Sequence, residues 1–482
     1  MKHITAALML LLLAGQAQAA DYSPDVQSHI RAVENGLLKS VTIEGDAHPA
    51  HSLAERMAAL HVPGVSIAVM HNGGLEWAKA YGEARPGVPV NTETLFQAGS
   101  ISKPLAAMAA LRLVEQGKLA LDTDINASLT SWKLPVTDAA KGKAVTLREL
   151  LSHTGGLTIH GFPGYAADEP VPSVVQVLDG TPPANTKPVR NEAEPGAQWN
   201  YSGGGFTILQ LAMTDVTQRR FPALLHDTVL EPIGMVHSTY EQPLPANLRA
   251  NAASPFDNKG QPIKGGAHTY PEMAAAGLWT TPSDLVRYAV EVRQSLNGKT
   301  NRVLSKAMTE QMLAPGLGHW GLGLEIAGKP ENPTFGHGGA NEGFRNTFVV
   351  YTKGGDGVFV MTNSDNGGGL GDEITRAVAA EYHWPDFQSL VRRAVTVDAA
   401  ILASYTGTYV VTPTFSMEVR LENGQLFAQG SGQSSVALRA ASETKFFPEN
   451  FPADIEFFKA SDGQSAYLIL HQGGKDTKAV RK

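Results

Sequence analysis

The run Phe96-Gln97-Ala98-Gly99-Ser100-Ile101-Ser102-Lys103-Pro104 leads into a stretch that reads as helix to residue 116. On a helix, residues three apart share a face, so Lys103 stands one turn above Ser100. Pro104 agrees with a helix beginning at Ser100, because proline is tolerated in the first turn, where its missing N–H is not needed. A helix start aims free backbone N–H groups at the serine and favours negative charge there. A serine hydroxyl is a poor nucleophile until a neighbour takes its proton, and a lysine buried beside it can lose its own proton near neutral pH and act as that base. The same residues also fit an N-cap serine followed by a solvated lysine. On its own, a Ser-x-x-Lys match is a weak signal in a chain of 482 residues.

The flanking sequence sets the fold class. Residues 65–70 and 76–81 are β-rich and flank Asn72-Gly73-Gly74, a strong hairpin signal that should start an antiparallel sheet. Further helices are expected near 147–151 and over 283–295, and the β-rich segment 346–363 returns to the sheet. The class is α+β, an antiparallel sheet flanked by helices. Residues 159–195 carry seven prolines and little periodicity, and read as a long ordered loop over a site. A helical stretch over 372–381 is stopped by Trp384-Pro385, and a linker runs to Val397. Beyond it, eight short β-rich runs between 405 and 481 suggest a small antiparallel barrel. The expected domains are thus 20–384 and 398–482, joined by 385–397.

The first nineteen residues read as a secretory leader: Lys2, an apolar run from about Ile4 to Gly15, and the small-residue site Ala17-Gln18-Ala19. The apolar run is shorter than the roughly 20 residues that span a bilayer, so an exported chain without a membrane anchor is expected, periplasmic or secreted. Gln16 stands where a lipid-attachment signal needs a cysteine. There is no Cys at all, which excludes disulfides, thiolate nucleophiles and Cys-ligated metals. With 43% apolar and 18% charged residues, stability must come from the core, and the length suggests two domains. The net charge of −7 and the lack of a basic run argue against nucleic acid as a partner. No His-Glu-x-x-His run or comparable cluster suggests a metal; His160, His268 and His319 are isolated. The residues around Ser100 also fail the Gly-x-Ser-x-Gly pattern of an α/β-hydrolase elbow.

Several stretches taken together resemble one family. These are His61-Val62-Pro63-Gly64-Val65-Ser66, the 96–103 run, Leu147-Arg148-Glu149-Leu150-Leu151-Ser152-His153-Thr154-Gly155-Gly156-Leu157, Pro195-Gly196, Tyr201-Ser202-Gly203 and Gly277-Leu278-Trp279. In order and spacing they are similar to the serine β-lactamase and penicillin-binding protein superfamily, in its class C-like branch with D-aminopeptidases and carboxylesterases, over about residues 50–382. The resemblance implies a class C β-lactamase-like domain with a helical subdomain and three catalytic motifs. The first, Ser-x-x-Lys, is met by Ser100 and Lys103. In the second, usually Tyr-x-Asn, Tyr201 would shuttle a proton to the leaving group, while Gly203 replaces the asparagine that often contacts substrate, which puts β-lactam turnover in doubt. The third, Lys-Thr-Gly in most β-lactamases, looks like the His-x-Gly of D-aminopeptidase relatives at His337-Gly338-Gly339, whose glycines would let substrate approach the strand. By the same resemblance the N–H groups of Ser100 and Ala340 form the oxyanion hole, and His153 has a structural role.

The implied function is an acyl-enzyme hydrolase without a cofactor. Its substrate would be a small molecule or peptide, with an amide or D-residue peptide bond, including peptidoglycan fragments, ranked first. A carboxylester or weakly turned-over β-lactam is the alternative, and a non-catalytic cell-wall binding module the third reading. In the tail, Tyr405-Thr406-Gly407-Thr408-Tyr409, Gly424-Gln425-Leu426 and Phe446-Phe447-Pro448 resemble a lipocalin-like barrel appended to members of this family. It reads as a rigid accessory domain that braces the cleft or mediates homo-oligomer formation.

Overall fold

The computed structural model describes residues 22–47, 50–433, 435–461 and 463–482, so the expected leader over residues 1–19 lies outside the described residues. The sheet grows from the expected hairpin. Strand β1 (Gly64–His71) turns through Asn72 and Gly73, at φ 52° and 86°, into β2 (Gly74–Arg85). Two successive positive φ values match the right-handed twist of the strands they join. After the helical region the chain returns as β3 (Glu325–Lys329), β4 (Asn332–Asn341), β5 (Phe344–Tyr351) and β6 (Gly357–Thr362). With a short strand at Val88–Pro89 outside β2, these form a seven-stranded sheet in the order β2-β1-β6-β5-β4-β3 from that edge.

Both faces of this sheet are buried, and the period of two explains how. In β1, Val65, Ile67 and Val69 join one apolar cluster and Ala68 and Met70 the other, since successive side chains point to opposite faces. Four helices carry the packing. Helix α1 (Ser102–Glu115) and helix α2 (Gly203–Thr217) form the core of the helical region, α3 (Pro282–Leu296) covers one face of the sheet and α4 (Gly367–Glu381) the other. The opposed residues Phe348 and Phe359 stack at 5.5 Å beneath α3's face. Each such buried ring contributes roughly 1.5–3 kcal/mol of transfer free energy.

The expected helices near 147–151 and 283–295 are present as Leu147–Leu151 and Pro282–Leu296. Two local expectations change. The proline-rich segment holds a short helix, Val174–Asp179, started by a capping box in which Ser173 and Gln176 satisfy each other's backbone N–H groups. The expected linker contains the strand Leu390–Arg392, which pairs in parallel with Val41–Ile43. Its partner lies some 350 residues away, so no local pattern announces it.

The barrel is closed and antiparallel throughout: eight strands run from Gly407–Thr412 to Lys475–Arg481, and the last pairs with the first through Tyr409 and Arg481. Its interior is filled by Tyr405, Tyr409, Leu426, Phe446, Phe457 and Leu468, each at most 1% exposed. Side chains therefore occupy the space that a wider barrel would offer a ligand.

Candidate active site

Ser100 sits in a single turn, Gly99–Ile101, that runs directly into α1. Ser102 holds the turn in place: its hydroxyl donates to Gly99 O (2.6 Å) and accepts from Leu278 N (2.9 Å), while Tyr240 Oη donates to Ser102 O (2.6 Å). Gly99 has φ 56°, and a Cβ there would lie 2.5 Å from Ala340 N. Only glycine permits both that backbone angle and that approach. The turn therefore brings the Ala340 amide on β4 against the residue preceding Ser100. Strand β4 has no outer partner beyond Gly336, so the stretch 337–341 meets this turn instead of β3. Asn341 Nδ2 donates to Gln97 Oε1 and Asn346 Nδ2 to Gln97 O, tying β4 and β5 to the approach of Ser100.

Lys103 is 1% exposed. Its Nζ donates to Ser100 Oγ (2.9 Å) and to Ala275 O (2.9 Å). It stands over the rings of Tyr201 (4.9 Å) and Phe206 (5.6 Å), and it makes no ion pair among the described residues. Burial without a counter-charge disfavours the ammonium and lowers its pKa to about 7. Tyr201 lies on the same side. Burial raises its pKa, the Ser100 hydroxyl beside it pulls the other way, and it stays a neutral phenol at neutral pH.

Two histidines close the site, and their hydrogen bonds fix their tautomers. His153 Nδ1 accepts from Ser202 N (3.1 Å), so its proton is on Nε2. His337 Nδ1 contacts Gly338 O, which can only accept, so its proton is on Nδ1 and Nε2 carries a lone pair. Neither Nε2 has a partner, and the same is true of the buried Trp320 Nε1. Burial first, then the nearby Lys103, lowers the pKa of both; for His337 the value is about 3. Both rings pack on one aromatic box: His153 to Tyr201 at 4.2 Å, Trp320 to His153 at 5.1 Å and to His337 at 5.3 Å, and Trp199 to Trp320 at 5.7 Å. A buried polar atom without a partner costs free energy that the fold must offset elsewhere, which marks the box as more than packing.

All four side chains expected to react, Ser100, Lys103, Tyr201 and His337, converge here. The glycines read differently. A Cβ on Gly339 would lie 1.9 Å from Ala98 O, so this glycine is required by the contact between β4 and the serine turn. Gly338 faces the opposite side of the sheet, where a Cβ would meet nothing closer than Asn346 O at 3.9 Å. Gly203 starts α2 behind its N-cap Ser202 and packs on Phe162 and His160 O of the proline-rich segment. That segment also reaches Tyr201: His160 Nδ1 donates to Tyr201 O. Phe162 thus occupies space beside the position where an asparagine would project.

Sequence reasoning missed Trp199, Trp320 and Phe162, since an isolated aromatic residue carries no spacing signal. It gave His153 a structural role without its contact to Tyr201. A separate cluster, His226, Asp227 and Glu231, is exposed, and Asp227 is already paired with Arg219.

The family described as beta-lactamase matches residues 50–383. The chain belongs to the beta-lactamase family. Residues 391–480 match a second family, described as a domain of unknown function. Among relatives, penicillin-binding protein 4* of Bacillus subtilis is 22% identical over 434 residues, covering 83% of this chain and 90% of its own length. Penicillin-binding protein 4 of Amycolatopsis lactamdurans is 28% identical over 317 residues, covering 60% and 78%. The octameric penicillin-binding protein homologue from Pyrococcus abyssi superimposes with a TM-score of 0.57 at 20% identity, covering 89% of this chain and 98% of its own. The D-amino acid amidase of Ochrobactrum anthropi does so at 0.56 and 19%, covering 74% and 99%. In this beta-lactamase family domain the serine turn lies between the sheet edge and the helical region.

Proposed function

We propose that this protein is an exported serine hydrolase that cleaves an uncharged amide, including amides of D-residues, through an acyl-enzyme on Ser100. The observation that carries the reading is Lys103: an amine fully buried, unpaired with any carboxylate, 2.9 Å from Ser100 Oγ and brought to about pKa 7. In its neutral form it takes the Ser100 proton as the hydroxyl oxygen attacks the carbonyl carbon. The charge that develops on the carbonyl oxygen is held by the N–H groups of Ser100 and Ala340, and such preorganised donors are worth about 3 kcal/mol each in related chemistry. Tyr201, a phenol kept protonated by burial, passes its proton to the leaving nitrogen and takes back the one Lys103 removed from Ser100. Neutral Lys103 then accepts a proton from the attacking water, and that proton returns to Ser100 Oγ as the acid leaves.

His337 supports the substrate class. As a neutral imidazole with its lone pair on Nε2 it accepts a hydrogen bond from a substrate N–H, and it cannot ion-pair with a carboxylate as a lysine there would. Substrates that depend on a carboxylate at that place, penicillins among them, should fare poorly. The fold shared with the D-amino acid amidase agrees with amide cleavage. Carboxylester cleavage is the second reading, favoured by Phe162 beside Gly203, where an asparagine would otherwise offer an amide to a peptide substrate.

The test is a panel of D-amino acid amides, p-nitrophenyl esters and a chromogenic cephalosporin on the mature protein, with a fluorophosphonate probe as readout of the serine. Amide turnover with probe labelling that disappears in Ser100→Ala is expected. Ester turnover alone would favour the second reading, and no covalent adduct would leave a binding module.

A further inference from the structure

Strand β4 has two faces, and only one of them belongs to the cleft. His337 points toward Tyr201 and Trp320, so its neighbours Gly336 and Gly338 turn to the other side. There a cavity of about 420 Å³ lies between this bare backbone, the helix α4, the linker residue Phe387 and Pro452 of the barrel. It is walled by parts of the chain that meet only in the folded protein.

Its charges are arranged in an unusual way. Asp372 and Arg376 stand four residues apart on α4, the spacing at which an acid and a base on a helix ordinarily pair. Both line the cavity, and yet neither forms an ion pair among the described residues. Arg376 uses one donor, Nε, on Leu38 O (2.7 Å), and its other two nitrogens make no hydrogen bond among the described residues. Glu325 adds a second carboxylate on the opposing wall. Asp372 is exposed at the cavity mouth and Arg376 half-buried; partial desolvation raises the pKa of the first and lowers that of the second, and the charge of each only partly offsets the effect on the other. Two carboxylates disfavour a simple anion, and the guanidinium disfavours a simple cation.

We propose that this cavity binds a small zwitterion, the class to which free α-amino acids belong, with Arg376 taking its carboxylate and Asp372 its ammonium. The guanidinium fork suits a carboxylate held by two parallel hydrogen bonds. The glycine backbone of β4 leaves room for a side chain against the sheet. The site is separated from Ser100 by the thickness of β4, so it does not depend on the reaction proposed above.

The experiment is calorimetric titration of the mature protein with D-alanine, D-leucine and L-leucine, with acetate and methylammonium as singly charged controls. An amino acid should bind while both controls fail. Asp372→Asn and Arg376→Gln should each weaken binding about tenfold or more, the size of one charge-assisted hydrogen bond. Hydrolysis of a p-nitrophenyl ester, measured without amino acid, should change by no more than about twofold in either variant, since neither residue touches the reacting atoms. Asp372→Asn is nearly isosteric on an accessible side chain, so it keeps the test valid if Arg376→Gln does not fold. Absence of binding by every amino acid, binding of acetate as tight as that of the amino acids, or unchanged binding in Asp372→Asn overturns the proposal.

Discussion

The cleft and the barrel are both built on antiparallel strands packed with aromatic rings, and they differ in how they treat polar atoms. In the barrel, the two deepest tyrosines are satisfied, Tyr405 Oη donating to Glu443 O (2.9 Å) and Tyr409 Oη to Tyr405 O (2.8 Å). The one buried nitrogen there without a hydrogen bond among the described residues, His471 Nε2, faces a carboxylate, Glu456, at 3.6 Å. Around Ser100, by contrast, His153 Nε2, His337 Nε2 and Trp320 Nε1 are buried with no partner, beside an amine stripped of counter-charge. The strands differ in the same way. The barrel closes and leaves no edge, whereas β4 is left open from 337 onward. Satisfied hydrogen bonds and closed edges give a rigid body, while unmade ones give a site that still has something to bind.

The sharpest way to break this comparison is to remove the amine. Lys103→Ala should lower kcat/KM by about a thousandfold or more, the upper range for loss of a general base, measured with the best substrate of the panel. If activity persists, the unsatisfied cleft is not where the chemistry happens. The pH profile is next. Lys103 must be neutral to accept a proton and is charged below its folded pKa of about 7. The rate should therefore fall about tenfold per unit as pH drops below 7 and level off above it. A profile flat from pH 5 to 8 would assign the base elsewhere, whereas a lysine with the ordinary pKa near 10.4 would give a rate still rising about tenfold per unit at pH 8. His337→Ala should cost about 10- to 100-fold, more for amides than for esters, because it removes an acceptor rather than the base. Equal losses with both substrate classes would show that His337 does not touch the leaving group. The smallest effect belongs to the barrel: Tyr409→Phe should cost about 1 kcal/mol in urea unfolding and leave kcat/KM within about twofold. A large loss of activity there would make the barrel part of the site.

Much of this molecule can be read locally. The hairpin at Asn72-Gly73, the eight barrel strands and the helix after Ser100 follow from turn chemistry and periods of 2 and 3.6, which a linear chain displays in order. The capping box at Ser173 and Gln176 was equally local and was hidden by the surrounding prolines. The strand Leu390–Arg392 was not legible, because its partner Val41–Ile43 comes from the far end of the chain.

The chemistry of the site divides along the same line. Sequence alone singled out the side chains that meet in the cleft, since Ser100 and Lys103 share a face by helical spacing and Tyr201 and His337 follow in a recognisable order. Only the tertiary structure decided their states. Lys103 is brought near pKa 7 by burial among Tyr201, Phe206 and Ala275, His337 is neutral because it is buried and Lys103 lies close, and Gly203 is glycine where Phe162 leaves little room. These are effects of desolvation and of contacts between distant residues. They depend on distances in space, and a one-dimensional pattern does not contain them.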